Sequence, residues 1–243
     1  MQPFLIALQF LSCIPVRLRG MPEPQDVGRS LLYYPLVGLL IGGVLWVLTA
    51  LTADAAPALQ AALILTLWVG LTGALHLDGL ADSADAWLGG YGDRERTLAI
   101  MKDPRSGPIA VTVLVLVLLL KFVALLALLQ SGHLLVLLLV PLLGRGAVLG
   151  LFLTTSYVRP GGLGDALSAH MPRHGARVVL AIVVLGCLLA GTNGWAALAI
   201  AFCTAWLARR SMNHRLGGTT GDTAGALLEL VECAVLVGLA LLG

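Results

Sequence analysis

Long apolar stretches with almost no charge dominate this sequence. Ile109–Gln130, for example, contains a single charged residue, Lys121. A helix of about 20 apolar residues spans the hydrocarbon core of a bilayer. Charged residues make up 12% of the chain, about half of what soluble domains usually carry. The sequence therefore predicts an integral membrane protein, because water alone would be a poor solvent for it.

Seven stretches are candidates for membrane spans. They are Leu31–Ala53, Ala58–Leu77, Ile109–Gln130, His133–Thr154, Arg177–Ala190, Trp195–Arg209 and Thr223–Leu242. The fifth and sixth are short, so they are either thin spans or together a re-entrant hairpin. Residues 1–30 carry only a short apolar run, which is typical of an interfacial segment. We predict one all-α domain over residues 1–243, a polytopic membrane bundle of about seven spans.

The positive charges indicate the orientation of this bundle. If every span crosses, thirteen of the fifteen Lys and Arg residues lie in loops on one face. They are Arg17, Arg19, Arg29, Arg94, Arg96, Lys102, Arg105, Arg159, Arg173, Arg177, Arg209, Arg210 and Arg215. The positive-inside rule assigns this face to the cytoplasm. A net charge of +2 without a basic run argues against a nucleic-acid partner.

Three aspartates stand out in the most polar stretch of the chain. Asp78, Asp82 and Asp85 are spaced so that on a helix they fall within roughly 60° of one another. Carboxylates this close repel one another unless a cation lies between them, and oxygen ligands suit Mg²⁺, Mn²⁺ or Ca²⁺. We therefore predict a metal site at these three residues, with solvated charges at a helix end as the alternative. His76 points away from this face, so we expect it to form hydrogen bonds rather than bind the metal, and it is a candidate substrate contact.

A run of charged residues follows the aspartates. Lys102 and Arg105 lie three residues apart beside Asp103 and a turn. Such a pair can bind the oxygens of a diphosphate and stabilise charge on a leaving phosphate. A juxtamembrane anchor explains the two cations equally well, because Lys and Arg gather at such positions. Residues 78–108 form the predicted main catalytic segment, and Arg94 and Asp103 are further candidate substrate contacts.

A second polar motif, residues 209–225, precedes the last predicted span. The backbone N–H groups of its glycine-rich part, which includes Gly218, are suited to cradle a phosphate at a helix N-terminus. Asp222 is a candidate substrate ligand, and its alternative role is that of an ordinary N-cap. The motif is not a Walker A loop, because the pattern G-x-x-x-x-G-K-[ST] is absent.

Four charged residues interrupt the predicted spans: Lys121, Arg145, Glu229 and Glu232. Charge at bilayer depth is costly, so such residues usually face the bundle interior and form pairs. Structural ion pairs and a role in substrate contact, with Arg145 as the candidate, both remain open. The concentration of polar motifs on one side suits an enzyme better than a transporter, which usually shows polar breaks near the midplane and internal repeats.

Several motifs resemble those of the cobalamin synthase family, the adenosylcobinamide-GDP ribazoletransferases. The central run HLDGLADSADAW, followed by DRERTLAIMKDPRSGP, is similar to the family signature. LGGTTGDTAGALLELVE resembles its C-terminal motif, and FLSCIPV, PLLGRGA and GGLGDAL resemble further family stretches. Cys13 and Pro104 depart from the family pattern, and neither is one of the aspartates. The resemblance extends along nearly the whole chain.

The resemblance implies a reaction and a location. The family joins adenosylcobinamide-GDP to α-ribazole or its 5′-phosphate and releases GMP. Its members depend on Mg²⁺ and are embedded in the membrane. The implied location is the bacterial inner membrane, with the active site facing the cytoplasm. In the combined mechanism Asp78, Asp82 and Asp85 hold Mg²⁺, and Lys102 and Arg105 neutralise the leaving GMP. Asp82 or Asp85 accepts the proton of the attacking hydroxyl.

Two other readings of the sequence stay open. A CDP-alcohol-like phosphotransferase would also use aspartates at a helix end, although its D-G-x-x-A-R spacing is absent, since Asp82 follows Ala81. A transporter or a non-catalytic membrane subunit would bind or move a ligand without releasing GMP. The small-residue pairs Gly38–Gly42 and Gly146–Gly150 indicate close helix packing, which serves either folding or a homo-oligomer.

Overall fold

The computed structural model describes residues 2–18 and 20–243. Arg19, one of the loop cations, lies outside the described residues. The helices are α1 (Gln2–Leu11), α2 (Pro24–Ser30), α3 (Tyr34–Leu51), α4 (Pro57–Thr72), α5 (Leu75–Gly89), α6 (Arg94–Ile100), α7 (Pro108–Gln130), α8 (Val136–Thr154), α9 (Leu163–Ala169), α10 (Arg173–Leu189), α11 (Gly191–Leu216) and α12 (Gly221–Leu242). Within this described part, extended pairing is limited to one bridge between Tyr157 and Thr219. The predicted all-α class is confirmed.

Among the described residues, four helical segments are long and apolar enough to cross a membrane. They are Pro24–Leu51, Pro108–Gln130, Val136–Thr154 and Gly221–Leu242. The pair α4 and α5 is bent by 86° at its break and gives a fifth span if it is counted as one. A multi-pass membrane bundle is therefore confirmed, while the predicted number of about seven is higher than the four or five found.

The difference comes from α10 and α11, which were predicted to contain the fifth and sixth spans. α10 has 17 residues and is short for a span. α11 has 26 residues, but polar residues at both ends, such as Asn193 and Arg209, lower its hydropathy. Ala190 alone separates the two helices, and the indole Nε1 of Trp195 donates to the carbonyl of Leu188 across this turn at 2.9 Å. The two helices therefore form a tight hairpin.

Within the described residues, α3 packs most extensively against α8. A methyl group on Gly38 would overlap the carbonyl oxygen of Pro141, and one on Gly42 would overlap that of Leu137. These glycines therefore allow two backbones to approach within one chain, as the G-x-x-x-G spacing predicts. α12 lies at the centre and packs against α5, α7, α8 and α11.

The four charges inside the bundle form one network. Lys121 Nζ donates to Glu229 Oε2 at 2.5 Å and to Glu232 Oε2 at 2.8 Å. Arg145 pairs with the other oxygen of Glu232, and Lys121 also lies 4.9 Å from the ring centroid of Trp68. The prediction of structural ion pairs is confirmed. Pairing is what makes such charges tolerable at this depth.

Hydrogen bonds gather the charged loops at one end of the bundle. Arg94 Nε donates to the carbonyl of Leu216 at 2.8 Å, which joins α6 to the end of α11. Val158 N donates to the carbonyl of Thr219 at 2.9 Å, which joins the loop after α8 to the start of α12. Three segments far apart in sequence, 90–107, 155–172 and 217–220, therefore lie together.

Candidate active site

A polar cavity of about 560 Å³ lies at this charged end of the bundle. Its polar side chains come from α5, the loop before α7, the loop after α8, the first turn of α12 and the start of α3. They are His76, Asp78, Lys102, Tyr157, Arg159, Asp222 and Tyr34. Four of these seven were predicted from sequence, and the cavity brings together motifs that are separated by up to about 140 residues.

The break between α4 and α5 positions the first two of these side chains. Gly73 and Ala74 both have left-handed backbones, with φ of 59° and 56°. This turn ends α4 and redirects the chain, so that His76 and Asp78 lie in the first turn of α5. The N-terminal end of a helix is favourable for the negative charge of Asp78.

Two glycines allow α5 and α12 to approach each other here. A Cβ on Gly79 would lie 2.7 Å from the carbonyl oxygen of Asp222, and one on Gly225 would lie 3.3 Å from the Cα of His76. Any larger residue would separate the helices. The glycines of the two motifs therefore bring Asp78 and Asp222 to the same cavity wall.

Thr220, and not Asp222, caps α12. The Thr220 hydroxyl accepts from Thr223 N at 3.2 Å, while Thr220 N donates to Thr223 Oγ1 at 2.9 Å. This capping box satisfies the free N–H groups at the helix start. The N-cap alternative for Asp222 is thus taken by another residue, and the Asp222 carboxylate instead pairs with Arg159, whose Nη1 lies 2.9 Å from Oδ2.

The loop after α8 supplies two cavity residues that the sequence prediction missed, Tyr157 and Arg159. The Tyr157 ring stacks on Phe152 with centroids 6.1 Å apart, and its hydroxyl lies against Gly162, where a Cβ would not fit. Burial raises the pKa of Tyr157. Tyr157 lines the cavity, so its hydroxyl can donate a hydrogen bond to a ligand there.

The remaining two aspartates of the triplet differ from each other. Asp85 Oδ2 accepts from Gly107 N at 2.5 Å and Oδ1 accepts from Ala110 N at 2.9 Å, so this carboxylate caps the start of α7. Asp82 is half-buried, and the negative charges of Asp78, Asp222 and Asp85 act on it against the positive charge of Arg159. The charged side chains around the cavity therefore act on Asp82, whereas both oxygens of Asp85 accept hydrogen bonds from backbone N–H groups.

Five other predicted site residues have structural partners outside the cavity. Arg105 donates to Asp103 at 2.9 and 2.7 Å in an exposed pair, which holds the pKa of Asp103 at about 2. Arg94 holds the end of α11, and Gly218 lies against the carbonyl of Ser156, where a Cβ would not fit. Arg145 is fully buried in its pair with Glu232. The predicted substrate contacts of these residues stay predictions.

The residues of the cavity suit a divalent cation that is bound jointly by carboxylates and by the phosphates of a substrate. Among residues 2–18 and 20–243, no three His, Cys, Asp or Glu side chains are arranged to hold a metal ion by themselves. Mg²⁺, however, is usually bound by one or two carboxylates together with substrate phosphates. Asp78 and Asp222 on the cavity wall, with Asp82 beside them, fit that mode. Metal binding by the full triplet stays a prediction.

The fold and the site define a multi-pass helical membrane protein whose cavity sets carboxylates beside cations, a combination suited to phosphate esters. Residues 3–240 match the model of the cobalamin-5-phosphate synthase family, and the chain belongs to this family. The resemblance seen in the sequence motifs is thereby confirmed.

Curated relatives match along their full length. The adenosylcobinamide-GDP ribazoletransferase of Stutzerimonas stutzeri is 67% identical over 241 residues, which cover 99% of this chain and 98% of the relative. Proteins of the same name from Pseudomonas fluorescens and Pseudomonas putida are 65% and 67% identical and cover 99% of this chain. No solved structure matches the chain.

Proposed function

We propose that this chain transfers adenosylcobinamide phosphate from adenosylcobinamide-GDP to α-ribazole or α-ribazole 5′-phosphate. GMP leaves, and the product is adenosylcobalamin or its 5′-phosphate. The observation that carries the proposal is the cavity of a family member in which Asp78 and Asp222 lie beside Lys102 and Arg159. The names of the relatives supply the substrate and the reaction class.

The two cations of the cavity suit the diphosphate of the substrate. One P–O bond, between the cobinamide phosphate and GMP, breaks, and a new P–O bond forms to a ribazole hydroxyl. Charge on the leaving GMP grows as the bond breaks, and Lys102 and Arg159 are placed to stabilise it. We give Arg159 the role that the sequence prediction gave to Arg105, because Arg159 lines the cavity, whereas Arg105 is exposed to solvent outside it.

Asp82 is the better candidate for accepting the proton of the ribazole hydroxyl. Asp85 was the alternative, but its two oxygens already accept backbone hydrogen bonds. Asp82 is half-buried, and among the described residues no hydrogen bond occupies its carboxylate oxygens. A positioned base of this kind contributes about 10²- to 10⁴-fold in rate.

Mg²⁺ is the proposed cofactor, and Asp78 and Asp222 would hold it, while Asp82 beside them is left to accept the proton. A bound divalent ion neutralises phosphate charge during the transfer. The ion pair with Arg159 holds Asp222 in position and reduces the repulsion among the carboxylates. Tyr157 is placed to donate its hydroxyl proton to a phosphate or sugar oxygen of the substrate.

We also propose that the cavity opens to the cytoplasm across a bacterial inner membrane. The proposal rests on the loop cations, twelve of which belong to the described residues, and on the positive-inside rule. Adenosylcobinamide-GDP carries a charged diphosphate and both acceptors are polar, so entry from an aqueous compartment suits them. A homo-oligomer stays a prediction. The glycine face of α3 packs against α8 of the same chain, so it does not serve as a contact between two copies.

The test is GMP release by purified protein in detergent. Adenosylcobinamide-GDP is supplied alone, with α-ribazole, or with α-ribazole 5′-phosphate, each with Mg²⁺ and with excess EDTA. We expect GMP release that requires an acceptor and stops when EDTA is added. Folded protein that releases no GMP with either acceptor would refute the proposed function, and release that persists in EDTA would refute the proposed cofactor.

A further inference from the structure

A second cavity, about 450 Å³ in volume, is an apolar groove between α8, α10 and α11. Gly146 and Gly150 on α8 leave space in it. A Cβ on either would meet only Val183 or Leu180 of α10, at 3.7 and 4.0 Å, which is ordinary contact distance. The backbone of α8 occupies the space beside the glycines of α3, whereas the space beside Gly146 and Gly150 is an open channel in the side of the bundle.

The length of the groove matches one leaflet of a bilayer. Its wall on α8 runs over residues 143–154, and its wall on α11 runs over residues 198–209. At about 1.5 Å per residue each wall is roughly 16 Å long. The hydrocarbon core of a bilayer is about 30 Å thick, so the groove extends from the charged end of the bundle to about the midplane.

Three arginines surround the charged end of the groove. Arg209 lines it, with Nε donating to Thr155 Oγ1 at 2.9 Å and Nη2 donating to the carbonyl of Thr154 at 2.7 Å. Arg173 donates to the neighbouring carbonyl of Leu153, and Arg210 lies 5.8 Å from the Trp206 ring centroid. Among the described residues, no carboxylate pairs with any of the three, so their charge is not neutralised within this part of the chain.

We propose that this groove binds an anionic phospholipid from the leaflet next to the charged loops. One acyl chain lies along the Gly146–Gly150 face, and the phosphate and anionic headgroup contact Arg209 and Arg210, with Arg173 nearby. Charge complementarity selects this occupant, because an apolar channel that ends in unpaired cations fits an anionic amphiphile. A second copy of the chain fits poorly, since a symmetric contact would place arginines against arginines.

The proposal does not depend on the transferase reaction and is tested by lipid binding. The purified protein is delipidated in detergent and titrated with phosphatidylglycerol or phosphatidylcholine, and bound lipid is counted by native mass spectrometry. We expect one phosphatidylglycerol to bind about tenfold more tightly than phosphatidylcholine, since each cation near a headgroup favours an anionic lipid. Equal affinity for the two lipids would refute the site.

Two variants locate the lipid. Gly150→Leu fills the groove, and we expect it to lower phosphatidylglycerol binding about tenfold. Gly186→Leu is the matched control, because Gly186 is exposed on α10 and a Cβ there meets nothing within 4 Å. Equal binding by both variants would overturn the proposal, as would a dimer of the native protein that Gly150→Leu abolishes.

The charge of the site is tested separately at exposed residues, where a change does not disturb the fold. Arg210→Gln is expected to remove most of the preference for phosphatidylglycerol over phosphatidylcholine. Arg96→Gln changes the net charge equally but lies on α6 at an exposed position outside the groove, and we expect it to keep the preference. If the two variants behave alike, the binding is non-specific attraction to a basic surface, and the proposal fails. This pair of variants decides the question even if Gly150→Leu does not fold.

Discussion

Arg159 and Asp222 lie 63 residues apart in sequence and form an ion pair, with Nη1 and Oδ2 at 2.9 Å, on the wall of the polar cavity. Both side chains are partly exposed, so the pair is open to a ligand. It connects the loop after α8 to the first turn of α12 and sets a cation beside the carboxylates of α5. The proposed chemistry depends on this relationship more than on any single motif.

Replacing Arg159 by Gln is expected to lower kcat/KM for GMP release about a hundredfold. The change removes a cation from the position where charge on the leaving GMP develops, and one such group contributes about that much. The assay is steady-state GMP release in detergent with both substrates. Arg96→Gln is the control, since Arg96 is exposed outside the cavity, and equal losses in the two variants would argue against a local role for Arg159.

Replacing Tyr157 by Phe tests the hydroxyl alone, because the ring keeps its stacking on Phe152. The variant loses only the group that faces the cavity. We expect a lower kcat, with a thermal midpoint in detergent close to that of the unchanged protein. An unchanged kcat would show that the hydroxyl does not contact the substrate.

Gly79→Ala is expected to lower activity about a hundredfold, since displacement of a catalytic group by about 1 Å has an effect of that size. The added methyl would meet the Asp222 carbonyl at 2.7 Å and push α5 away from α12. Gly70→Ala on α4 is the control, because its Cβ meets nothing within 4 Å. Wild-type turnover by Gly79→Ala would mean that the approach of the two helices does not matter for the reaction.

Asp82→Asn is expected to lose mainly turnover, whereas Asp85→Asn is expected to lose mainly thermal stability. Asp82→Asn should lose about 10²- to 10⁴-fold in turnover and remain folded, because it removes the proposed base. Asp85→Asn places an amide group against one of two backbone N–H donors, so we expect a lower thermal midpoint first. Turnover and thermal unfolding are measured on both proteins. The reverse pattern would exchange the roles assigned to these two residues.

Sequence reasoning found the residues whose signal is local. His76, Asp78 and Asp222 lie in dense polar motifs within an apolar chain, and all three line the cavity with Lys102. Helix periodicity was enough to place the aspartates near one another, and the positive charges were enough to place the loops on one side.

Long-range partners account for what was missed. Nothing near Arg159 in sequence shows that Asp222 will pair with it, and Tyr157 meets Thr219 only because two loops fold together. Asp85 looks like its two neighbours in the triplet until Gly107, 22 residues later, returns to donate to it. The number of spans was overestimated because the α10 and α11 segments are apolar in part but short or polar at their ends.

The central claim is that the cavity between α5 and α12 is the site of transfer, and Asp222→Asn tests it most directly. The measurement is kcat for acceptor-dependent GMP release, with Asp54→Asn as the control, because Asp54 is an exposed acid in the short connection between α3 and α4. We predict a loss of at least about a hundredfold for Asp222→Asn, with the thermal midpoint and the Asp54→Asn rate close to those of the unchanged protein. A folded Asp222→Asn protein with near-normal kcat would contradict the assignment of this cavity.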